Sequence, residues 1–451
     1  MLFVCCFYLF AALFVQNLAA ALTLDLLGGP LTGIVDTTAV KDVSTVLKQL
    51  LGAKPLKEPP ASSDQLRSTL TSIWGNETSL PGFYNKVLAQ IEANILPSGS
   101  LAALTNLVDP TSGIDSTVNV NHRNPSPPIY PGKSSKDAPY SLLEAQLRAA
   151  IYIPPTFTYG QKPPTILLPG TGVYGGETFS NNLAKLLADK SYADPVWLNV
   201  PGALLGDAQV NAEYVAYAIN YISGISNNVN VSIISWSQGG LDTQWAFTFW
   251  PSTRSVVSDF VPVSPDFHGT ILANALCLST GKGTANLDPC DPSVIQQDYN
   301  SNFVKTLRAR GGADAYVPTT TLYSAFLDEI VEPQQGTAAS AYLGDARAVG
   351  VINIEVQSVC ADKLAGSFYG HAQMLFNPLT AAMVADALTH AGPGSLSRVD
   401  LSNVCTDYIA PGLTLEDAIT TAGEIVAAAI RLLAYFPKLV DEPTIMAYAS
   451  K

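Results

Sequence analysis

The last two thirds of the sequence predict an α/β fold with a mostly parallel central sheet flanked by helices. Short apolar runs rich in Val and Ile, such as PPTILLPG, DPVWLNVPG and NVSIISWSQGG, alternate there with segments of helical pattern. Such runs are typical of buried parallel strands joined by helical crossovers. The composition, 47% hydrophobic and 14% charged, provides enough apolar side chains to bury a large core.

The predicted elements follow one another in the order that such a sheet requires. A helix at ETFSNNLAKLLADK follows the strand PPTILLPG, and a helix at AQVNAEYVAYAINYI follows DPVWLNVPG. The strand NVSIISWSQGG leads into a helix at LDTQWAFTFW, and further strands are predicted at SDFVPVSPDF, TTTLYSAF and INIEVQSV. Near the end of the chain, the apolar pattern predicts one long helix from Leu415 to Phe436.

The first 130 residues predict a leader followed by a helical extension. Residues 1–20 are apolar, carry no charge and end in small residues, which indicates a secretory signal peptide; an uncleaved anchor is the alternative. Residues 21–130 show helical patterns broken by KPLKEPPASS, and the stretch NHRNPSPPIYPGKSSKDAPYS has the composition of a linker or exposed loop. We therefore expect an N-terminal extension over 21–130, which is a propeptide, a lid or an appendage, and the α/β domain over 131–451.

The net charge argues against one class of partner. A formal charge of −13 repels phosphate backbones and anionic lipid headgroups, so no nucleic-acid partner is expected, and nothing implies a partner protein. The sequon at Asn76, Asn-Glu-Thr, is the predicted glycosylation site and is in keeping with secretion to the extracellular space.

The cysteines predict disulfides rather than a metal site. If the leader is removed with its two cysteines, an even number remains in a secreted chain, which predicts two disulfides. No His/Cys pattern has metal-ligand spacing, so neither a metal nor another cofactor is expected. The four remaining cysteines are Cys277, Cys290, Cys360 and Cys405.

A serine at the end of one predicted strand has the context of a nucleophile elbow. The segment from Ile233 to Gly240 reads Ile-Ile-Ser-Trp-Ser-Gln-Gly-Gly, so the strand ends in a serine with small neighbours two residues away on either side. Only small neighbours leave room for the sharp turn that exposes such a serine. The first glycine of the usual G-x-S-x-G motif is Ser235 here. We interpret Ser237 as a nucleophile, the alternative being an ordinary turn residue.

An acid and a histidine are expected after the serine, because in this class of sheet the partners come in the order serine, acid, histidine. Asp328 ends the strand TTTLYSAF and so has the place of the acid, although Asp328 or Glu329 alone is equally a surface charge. His268 follows the next strand directly, too early for an acid to precede it, and is interpreted as a loop histidine. The histidines after the serine are His268, His371 and His390.

Two further segments have the features of an oxyanion hole. This site needs the backbone N–H after the nucleophile, which Gln238 provides, and another from the loop after an earlier strand. The strand PPTILL runs into Pro-Gly-Thr-Gly at residues 169–172, which places Thr171 in that loop. A phosphate-binding loop is the other functional interpretation, but the Walker lysine and the G-x-G-x-x-G spacing are missing.

Together these residues resemble the family of fungal lipases typified by Candida antarctica lipase B. Matching blocks stand in one order over residues 137–451: ILLPGTG, WSQGGL followed by QWAFTFWPSTRS, SPDFHGT, VPTTTLYSAFLDEIVEPQ and the region from Cys360 to Cys405. The resemblance implies an α/β-hydrolase fold and a secreted serine hydrolase that cleaves carboxylic esters of lipids or other apolar esters, including esters at a lipid–water interface. A short-chain or polymer esterase, an acyltransferase of the same chemistry and a catalytically silent binding protein are the alternatives.

The resemblance also implies a role for individual residues. Ser237, Asp328 and His371 match the nucleophile, acid and base, whereas His390 does not have the family's separation from Cys405. Thr171 and Gln238 resemble the oxyanion hole, and Cys360 with Cys405 resembles a family disulfide. The residues that resemble the substrate pocket are Trp236 on the alcohol side and Asp266 and Gln297 on the acyl side.

This chain departs from the family pattern at several places. Cys277 and Cys290 lie in an apparent insertion and are expected to form a local disulfide. Gly370 stands before the histidine where the family has an acid, and Val-Tyr-Gly-Gly follows Thr171, so the pocket is expected to differ in shape. The extension over residues 21–130 has no counterpart in the resemblance.

Overall fold

A seven-stranded sheet forms the centre of the structure, which is a computed structural model describing residues 49–50, 52–74, 80–95, 113–273, 290–325 and 327–450. The strand order is β1-β3-β2-β4-β5-β6-β7, and every pairing is parallel except that of β1 with β3. The strands are β1 (Ile151–Tyr152), β2 (Pro164–Leu168), β3 (Asp194–Leu198), β4 (Val231–Trp236), β5 (Val257–Val263), β6 (Thr319–Tyr323) and β7 (Val351–Glu355).

The sheet confirms the predicted α/β fold. The strands β2 to β7 coincide with the six predicted apolar runs, and β2 to β6 are mostly buried because helices cover both faces of a parallel sheet. The edge strand β7 is only partly buried. The edge strand β1 was not predicted, since two residues are too short to show a pattern. It pairs antiparallel with β3 through Ile151 and Tyr152.

Helices surround the sheet within the described residues. The N-terminal helices are α1 (Ser63–Trp74) and α2 (Leu80–Glu92). The central helices are α3 (Glu144–Ala149), α4 (Gly175–Phe179), α5 (Leu183–Leu187), α6 (Ala208–Ile225), α7 (Gln238–Phe249), α8 (Pro292–Gln296) and α9 (Asn302–Leu307). The C-terminal helices are α10 (Val356–Val359), α11 (Pro378–Thr389), α12 (Leu401–Val404), α13 (Leu415–Ala422) and α14 (Glu424–Ala434).

The single long helix predicted from Leu415 to Phe436 is wrong in two respects. The chain forms two helices, α13 and α14, separated by a turn at Gly423. The second helix ends at Ala434, and Phe436 lies beyond it with its side chain exposed. An apolar pattern continues across such a turn, because both helices bury their faces against the same core.

Two hydrophobic cores lie on opposite faces of the sheet. Successive side chains of a strand point to opposite faces, so Ile233 packs with α6 and α7 while Ile234 packs in the other core. The core that contains Ile234 includes α11, α13 and α14 and also the apolar side chains of α1 and α2. The N-terminal helices are therefore packed on the same face of the sheet as the C-terminal helices, and α2 contacts α14 directly.

The segment just before the sheet is attached to the α/β domain by hydrogen bonds. The carbonyl of Ile114 accepts from the indole of Trp197 at 2.8 Å and from the side chain of Asn199 at 2.9 Å. The carboxylate of Asp115 accepts from the backbone N–H of Glu177, at the start of α4, at 2.8 Å. The stretch predicted as a linker is irregular, and there the carbonyl of Arg123 accepts from the Tyr221 hydroxyl at 2.7 Å.

Some predicted covalent features fall on described residues and others do not. Cys360 and Cys405 form a disulfide, and Cys290 is also disulfide-bonded. Cys277, Asn76 and the predicted signal peptide lie outside the described residues. In the part of the chain that the structure describes, no helix is long and apolar enough to span a bilayer, and no cluster of three or more His, Cys, Asp or Glu is placed to hold a metal ion.

Candidate active site

Ser237 lies in the sharp turn between β4 and α7. Its φ of 53° and ψ of −131° are outside the regions that an L-residue prefers. A conformation of this kind costs of order 1–3 kcal/mol and persists only where the surrounding structure imposes it. The Ser237 N–H donates to the carbonyl of Val263 on β5 at 3.0 Å, which fixes the turn to the neighbouring strand.

Neighbouring glycines allow this turn to pack closely against the loop after β2. A Cβ on Gly239 would lie 2.5 Å from the Pro169 carbonyl oxygen, and a Cβ on Gly170 would lie 2.8 Å from the Cβ of Ser237. Ser235 replaces the usual first glycine and is accommodated because Gly240 opposite lacks a side chain: a Cβ there would lie 3.3 Å from Ser235 Oγ. The local sequence therefore has the small residues that an elbow requires.

His371 and Asp328 form a buried hydrogen-bonded pair. His371 Nδ1 lies 3.0 Å from Asp328 Oδ1 and 2.9 Å from Oδ2. Both side chains are almost fully buried, at 2% and 0% exposed. The carboxylate also accepts the backbone N–H groups of Ile330 at 3.0 Å and Val331 at 2.8 Å. These contacts fix the carboxylate, which in turn orients the imidazole through Nδ1.

The charge environment keeps the pKa of His371 above its ordinary value. Burial lowers the pKa, but the charge and the hydrogen bond of Asp328 raise it, with smaller contributions from Glu329 and Asp266, and these outweigh burial. His371 Nε2 is buried and has no hydrogen-bond partner among the described residues. The imidazole is therefore able to take up a proton at that nitrogen.

Glu329 is a second buried carboxylate beside the same histidine. Its Oε2 accepts the backbone N–H of His371 at 2.9 Å. Burial, together with the charge of Asp328, raises the pKa of Glu329 to about 7. A Cβ on Gly370 would collide with Glu329 Oε2. The glycine before the histidine, which departs from the family pattern, is therefore what makes room for this carboxylate.

Thr171, Gln238 and Gln297 form one hydrogen-bonded group next to Ser237. The Thr171 hydroxyl lies 2.7 Å from Gln238 Oε1 and 3.0 Å from Gln297 Oε1, and Gln297 Nε2 donates to Gln238 Oε1 at 3.0 Å. Gln238 Nε2 in turn donates to the carbonyl of Leu204 at 3.1 Å. Because Gln238 is the first residue of α7, its backbone N–H has no partner within the helix.

One small cavity brings most of the predicted site residues together. Its volume is about 30 Å³. Ser237, His371, Thr171, Trp236 and Gln297 line it. The indole of Trp236 donates to the His371 carbonyl at 3.1 Å, with the two ring centroids 5.1 Å apart. The other lining residues are mostly apolar: Phe83, Thr270, Ala273, Val294, Ile330, Val331, Ile425, Ala428 and Leu432.

Asp266 is the predicted substrate-binding residue that does not line this cavity. It is fully buried, and neither carboxylate oxygen has a side-chain hydrogen-bond partner among the described residues. Burial raises its pKa to about 7, and the charge of Asp328 adds to that effect. Asp266 therefore lies outside the cavity lining, but close enough to His371 and Asp328 for their charges to affect its pKa.

The other two histidines that follow Ser237 lie elsewhere. His268 is in the loop after β5, as predicted, and burial next to the Arg308 charge lowers its pKa to about 4. His390 lies at the end of α11, where Nδ1 is 3.3 Å from Asp386 Oδ1. Neither lines the cavity of Ser237.

Sequence analysis missed several residues of this cavity. Phe83 on α2 had no sequence signal, because its contact with the site depends on how α2 packs against α14. Ile425, Ala428 and Leu432 lie on one face of α14 at helical spacing, which the apolar pattern of that segment does indicate. The close approach of Glu329 to Gly370 depends on two loops that are 41 residues apart in the chain.

Comparison with known proteins identifies the family. No protein-family model matches the chain. Lipase B of Pseudozyma antarctica is 34% identical over 322 residues, which are 70% of this chain and 87% of that protein. The crystal structure of Aspergillus fumigatus lipase B superposes with a TM-score of 0.82 at 43% identity and covers 92% of this chain and 96% of that one.

The structural match extends beyond the α/β domain. Since it leaves only 8% of the chain uncovered, most of the N-terminal extension has a counterpart in the Aspergillus structure, which the sequence resemblance did not indicate. The sheet topology, the sharp turn at Ser237 and the sequence identity over most of both chains all indicate the same family. The chain therefore belongs to the lipase B family of α/β-hydrolases and is a carboxylic ester hydrolase.

Proposed function

We propose that the protein is a secreted lipase that hydrolyses carboxylic esters of lipids through Ser237, His371 and Asp328. The observation that supports this most directly is the pairing of His371 Nδ1 with a buried Asp328 in the cavity that Ser237 also lines. A serine, a histidine and an acid in these positions are the parts of an acyl-transfer mechanism.

The reaction has two halves. His371 Nε2 takes the Ser237 proton as Oγ attacks the ester carbonyl carbon, and Asp328 stabilises the resulting imidazolium. When the tetrahedral intermediate collapses, the alcohol leaves with that proton and the acyl group stays on Ser237 Oγ. A water molecule then gives a proton to His371 and attacks the acyl-enzyme, which releases the carboxylic acid and restores the serine.

The oxyanion of each tetrahedral intermediate binds to Thr171 and Gln238. The backbone N–H of Gln238 stands at the N-terminus of α7, where the helix dipole also favours negative charge. The Thr171 hydroxyl turns from its glutamine partners toward the oxyanion when substrate is bound. The Gln238 side chain keeps its hydrogen bonds to Leu204 and Gln297, so the Thr171 loop and the N-terminus of α7 keep their relative positions.

The lining of the cavity supports an apolar ester as the substrate. Most lining side chains are aliphatic or aromatic, and an apolar lining favours a lipid chain over a charged ester. Trp236 forms part of the wall on the alcohol side and Gln297 part of the wall on the acyl side. Asp266 lies outside the cavity lining, so it acts on His371 through its charge rather than by contact with substrate.

Secretion is part of the proposal. The apolar leader over residues 1–20, the Cys360–Cys405 disulfide and the sequon at Asn76 are features of a chain that passes through an oxidising compartment. We also propose a local disulfide between Cys277 and Cys290.

The test is hydrolysis of p-nitrophenyl esters by the full-length protein and its Ser237→Ala variant. We expect the variant to lose at least about 10³-fold in kcat, because the nucleophile is gone. Ser226→Ala is a matched control, since it removes a buried serine hydroxyl at the far end of α6. In addition, diethyl p-nitrophenyl phosphate should add one phosphoryl group to Ser237, detected by peptide mass spectrometry.

Two outcomes would contradict the proposal. If Ser237→Ala retains wild-type turnover, or the phosphoryl group is found on another residue, Ser237 is not the nucleophile. If the full-length protein cleaves no ester, the chain is a catalytically silent member of its family.

A further inference from the structure

We infer that Phe83, on α2 of the N-terminal extension, is a specificity-determining residue that limits the size of ester the site accepts. The inference rests on the proposed function, because it takes the cavity around Ser237 as the ester-binding site. It assigns part of the N-terminal extension to the substrate pocket.

The first argument is position. Phe83 lines the same cavity as Ser237 and His371, although it comes from a helix outside the sheet and its crossovers. Its side chain is 8% exposed, so it is a buried wall and not a side chain extending into solvent. In the described part of the chain, the other residues that line this cavity all lie after residue 170.

The second argument is that the packing around Phe83 holds it in place. The ring lies 6.1 Å from the ring of Trp74 on α1 and 5.3 Å from that of Tyr84, centroid to centroid. The helix α2 contacts α14, whose face carries Ile425, Ala428 and Leu432 into the same cavity. Aromatic contacts of this kind fix an orientation as well as burying area. The wall is therefore rigid where it meets the substrate.

The third argument is size. A cavity of about 30 Å³ holds roughly two water molecules. An acyl chain of eight or more carbons is much larger, so a rigid wall at Phe83 works against the binding of such a chain. Phe83 has a large ring at this wall, whereas its neighbour Ala428 on α14 has only a methyl group. The ring is therefore the side chain whose size most directly sets the limit.

The test varies the size of residue 83 in the full-length protein and measures kcat/KM for two ester series. One series is p-nitrophenyl butyrate, octanoate and palmitate, which changes the acyl chain; the other is butyrate esters of ethanol, hexanol and benzyl alcohol. The variants are F83A, F83L and F83W. Thermal unfolding of each variant reports whether it is folded.

We expect the size preference to move in opposite directions for smaller and larger side chains. In F83A and F83L, the ratio of kcat/KM for the largest to the smallest ester of at least one series should rise by about 10-fold, the effect of a few methylene contacts in an apolar pocket. In F83W that ratio should fall. Loss of folded protein alone would lower kcat/KM for every ester by the same factor.

Ile91→Ala is the matched control for F83A. It removes a buried apolar side chain from the same helix, 2% exposed, but Ile91 does not line the cavity. Its size ratios should equal those of the wild type.

The inference and the proposed function fail in different ways. If Ser237→Ala abolishes turnover but the ratios in F83L and F83W stay within twofold of wild type in both series, Phe83 does not set specificity and the proposed function stands. If I91A moves the ratios as far as F83A does, the effect belongs to the stability of α2, and the inference is also overturned. Wild-type turnover by Ser237→Ala would remove the proposed function itself.

Discussion

At the scale of single residues, the two nitrogens of His371 have different surroundings. Nδ1 faces the fixed carboxylate of Asp328, and Nε2 has no partner among the described residues. This difference sets the tautomer, because the proton on a neutral imidazole is held where an acceptor is already in place. The nitrogen left without a proton is then the one available as a general base.

The acid limb of the pH–rate profile should reflect this environment. In the proposed mechanism His371 must be neutral to act as the base, and its pKa lies above its ordinary 6.5, so kcat/KM should decline as the pH falls through a value above 6.5. In Asp328→Asn the charge and its hydrogen bond are lost, so the limb should move to lower pH and kcat should fall by about 10⁴. Hydrolysis of p-nitrophenyl butyrate between pH 4 and 9 measures both.

The same substitution at a second His–Asp pair is the control. Asp386 lies 3.3 Å from His390 but outside the cavity, so Asp386→Asn should leave the limb unchanged in the folded enzyme. An acid limb that stays in place in Asp328→Asn would contradict the role given to Asp328.

Sequence reasoning reaches the residues that obey local rules and stops where contacts are long-range. Ser237 was found because an elbow demands small neighbours, and Asp328 because an acid belongs at the end of its strand. The choice of His371 over His390 needed a family resemblance, since neither spacing nor composition separates them. Glu329 was open to interpretation as a surface charge, because nothing local shows that Gly370 leaves space for it.

At the scale of elements, α14 holds the loop that carries Thr171. The guanidinium of Arg431 donates to the carbonyl of Gly172 at 2.9 Å and pairs with Glu177 on α4. Gly172 has a φ of 77° and lies against Ala428, where a Cβ would come within 3.0 Å of the helix backbone. The position of the predicted oxyanion loop thus depends on a helix near the far end of the chain.

Replacing Arg431 should therefore affect both stability and rate. Arg431 is 3% exposed, and Arg431→Met leaves Glu177 buried without its partner, which should destabilise the protein by about 3–5 kcal/mol. We also expect a lower kcat, because Gly172 loses the donor that fixes it. Denaturant unfolding and ester hydrolysis at a temperature where the variant is folded measure the two effects.

A surface arginine provides the comparison. Arg67 lies 3.9 Å from Asp64 with both side chains at least partly exposed, so Arg67→Met should change stability little and kcat not at all. An Arg431→Met variant as stable as wild type would show that α14 does not need this pair.

The element boundaries show why the fold was easier to predict than its details. The strands β2 to β5 are short, mostly apolar runs, and buried parallel strands leave little room for another interpretation. The apolar pattern does not reveal the turn at Gly423, because α13 and α14 both pack against the same core. The packing of α2 on α14 joins parts of the chain more than 330 residues apart and has no local signal at all.

At the scale of the whole molecule, burial raises the pKa of nine carboxyl groups among the described residues. For six of them the pKa values are about 6 in two cases and about 7 in the other four, against ordinary values of 3.8 for Asp and 4.5 for Glu. A group with a raised pKa binds more protons in the folded than in the unfolded chain over this interval. The six are Asp115, Asp259, Asp266, Asp291, Glu329 and Glu332.

Stability should therefore fall as the pH rises from about 4 to about 7. The stabilisation from each such group is fully present below its unfolded pKa and is lost as the pH rises through its folded pKa. The net charge of −13 near neutral pH adds repulsion in the same direction. His268, with its pKa lowered to about 4, works in the opposite sense. The lowered pKa values of Asp386, Asp400 and Asp417 also work in that sense, but mainly at pH values near or below the ordinary 3.8.

Calorimetric Tm values at constant ionic strength between pH 4.5 and 8 test this expectation. Asp266→Asn removes one of the six titrations and should make the decline with pH shallower. A Tm that rises steadily over this interval would mean that the buried carboxyls stay ionised in the folded protein.

The backbone at Ser237 also has a consequence for how members of this family evolve. Glycine adopts a positive φ without penalty, so selection for folding alone would favour glycine at this position by about 1 kcal/mol, after its greater unfolded-chain entropy is counted. If Ser237 is the proposed nucleophile, serine persists there only while selection for ester cleavage outweighs that preference. In a lineage that no longer needs its ester substrate, the change to glycine would stabilise the folded protein, and the return to serine would destabilise it.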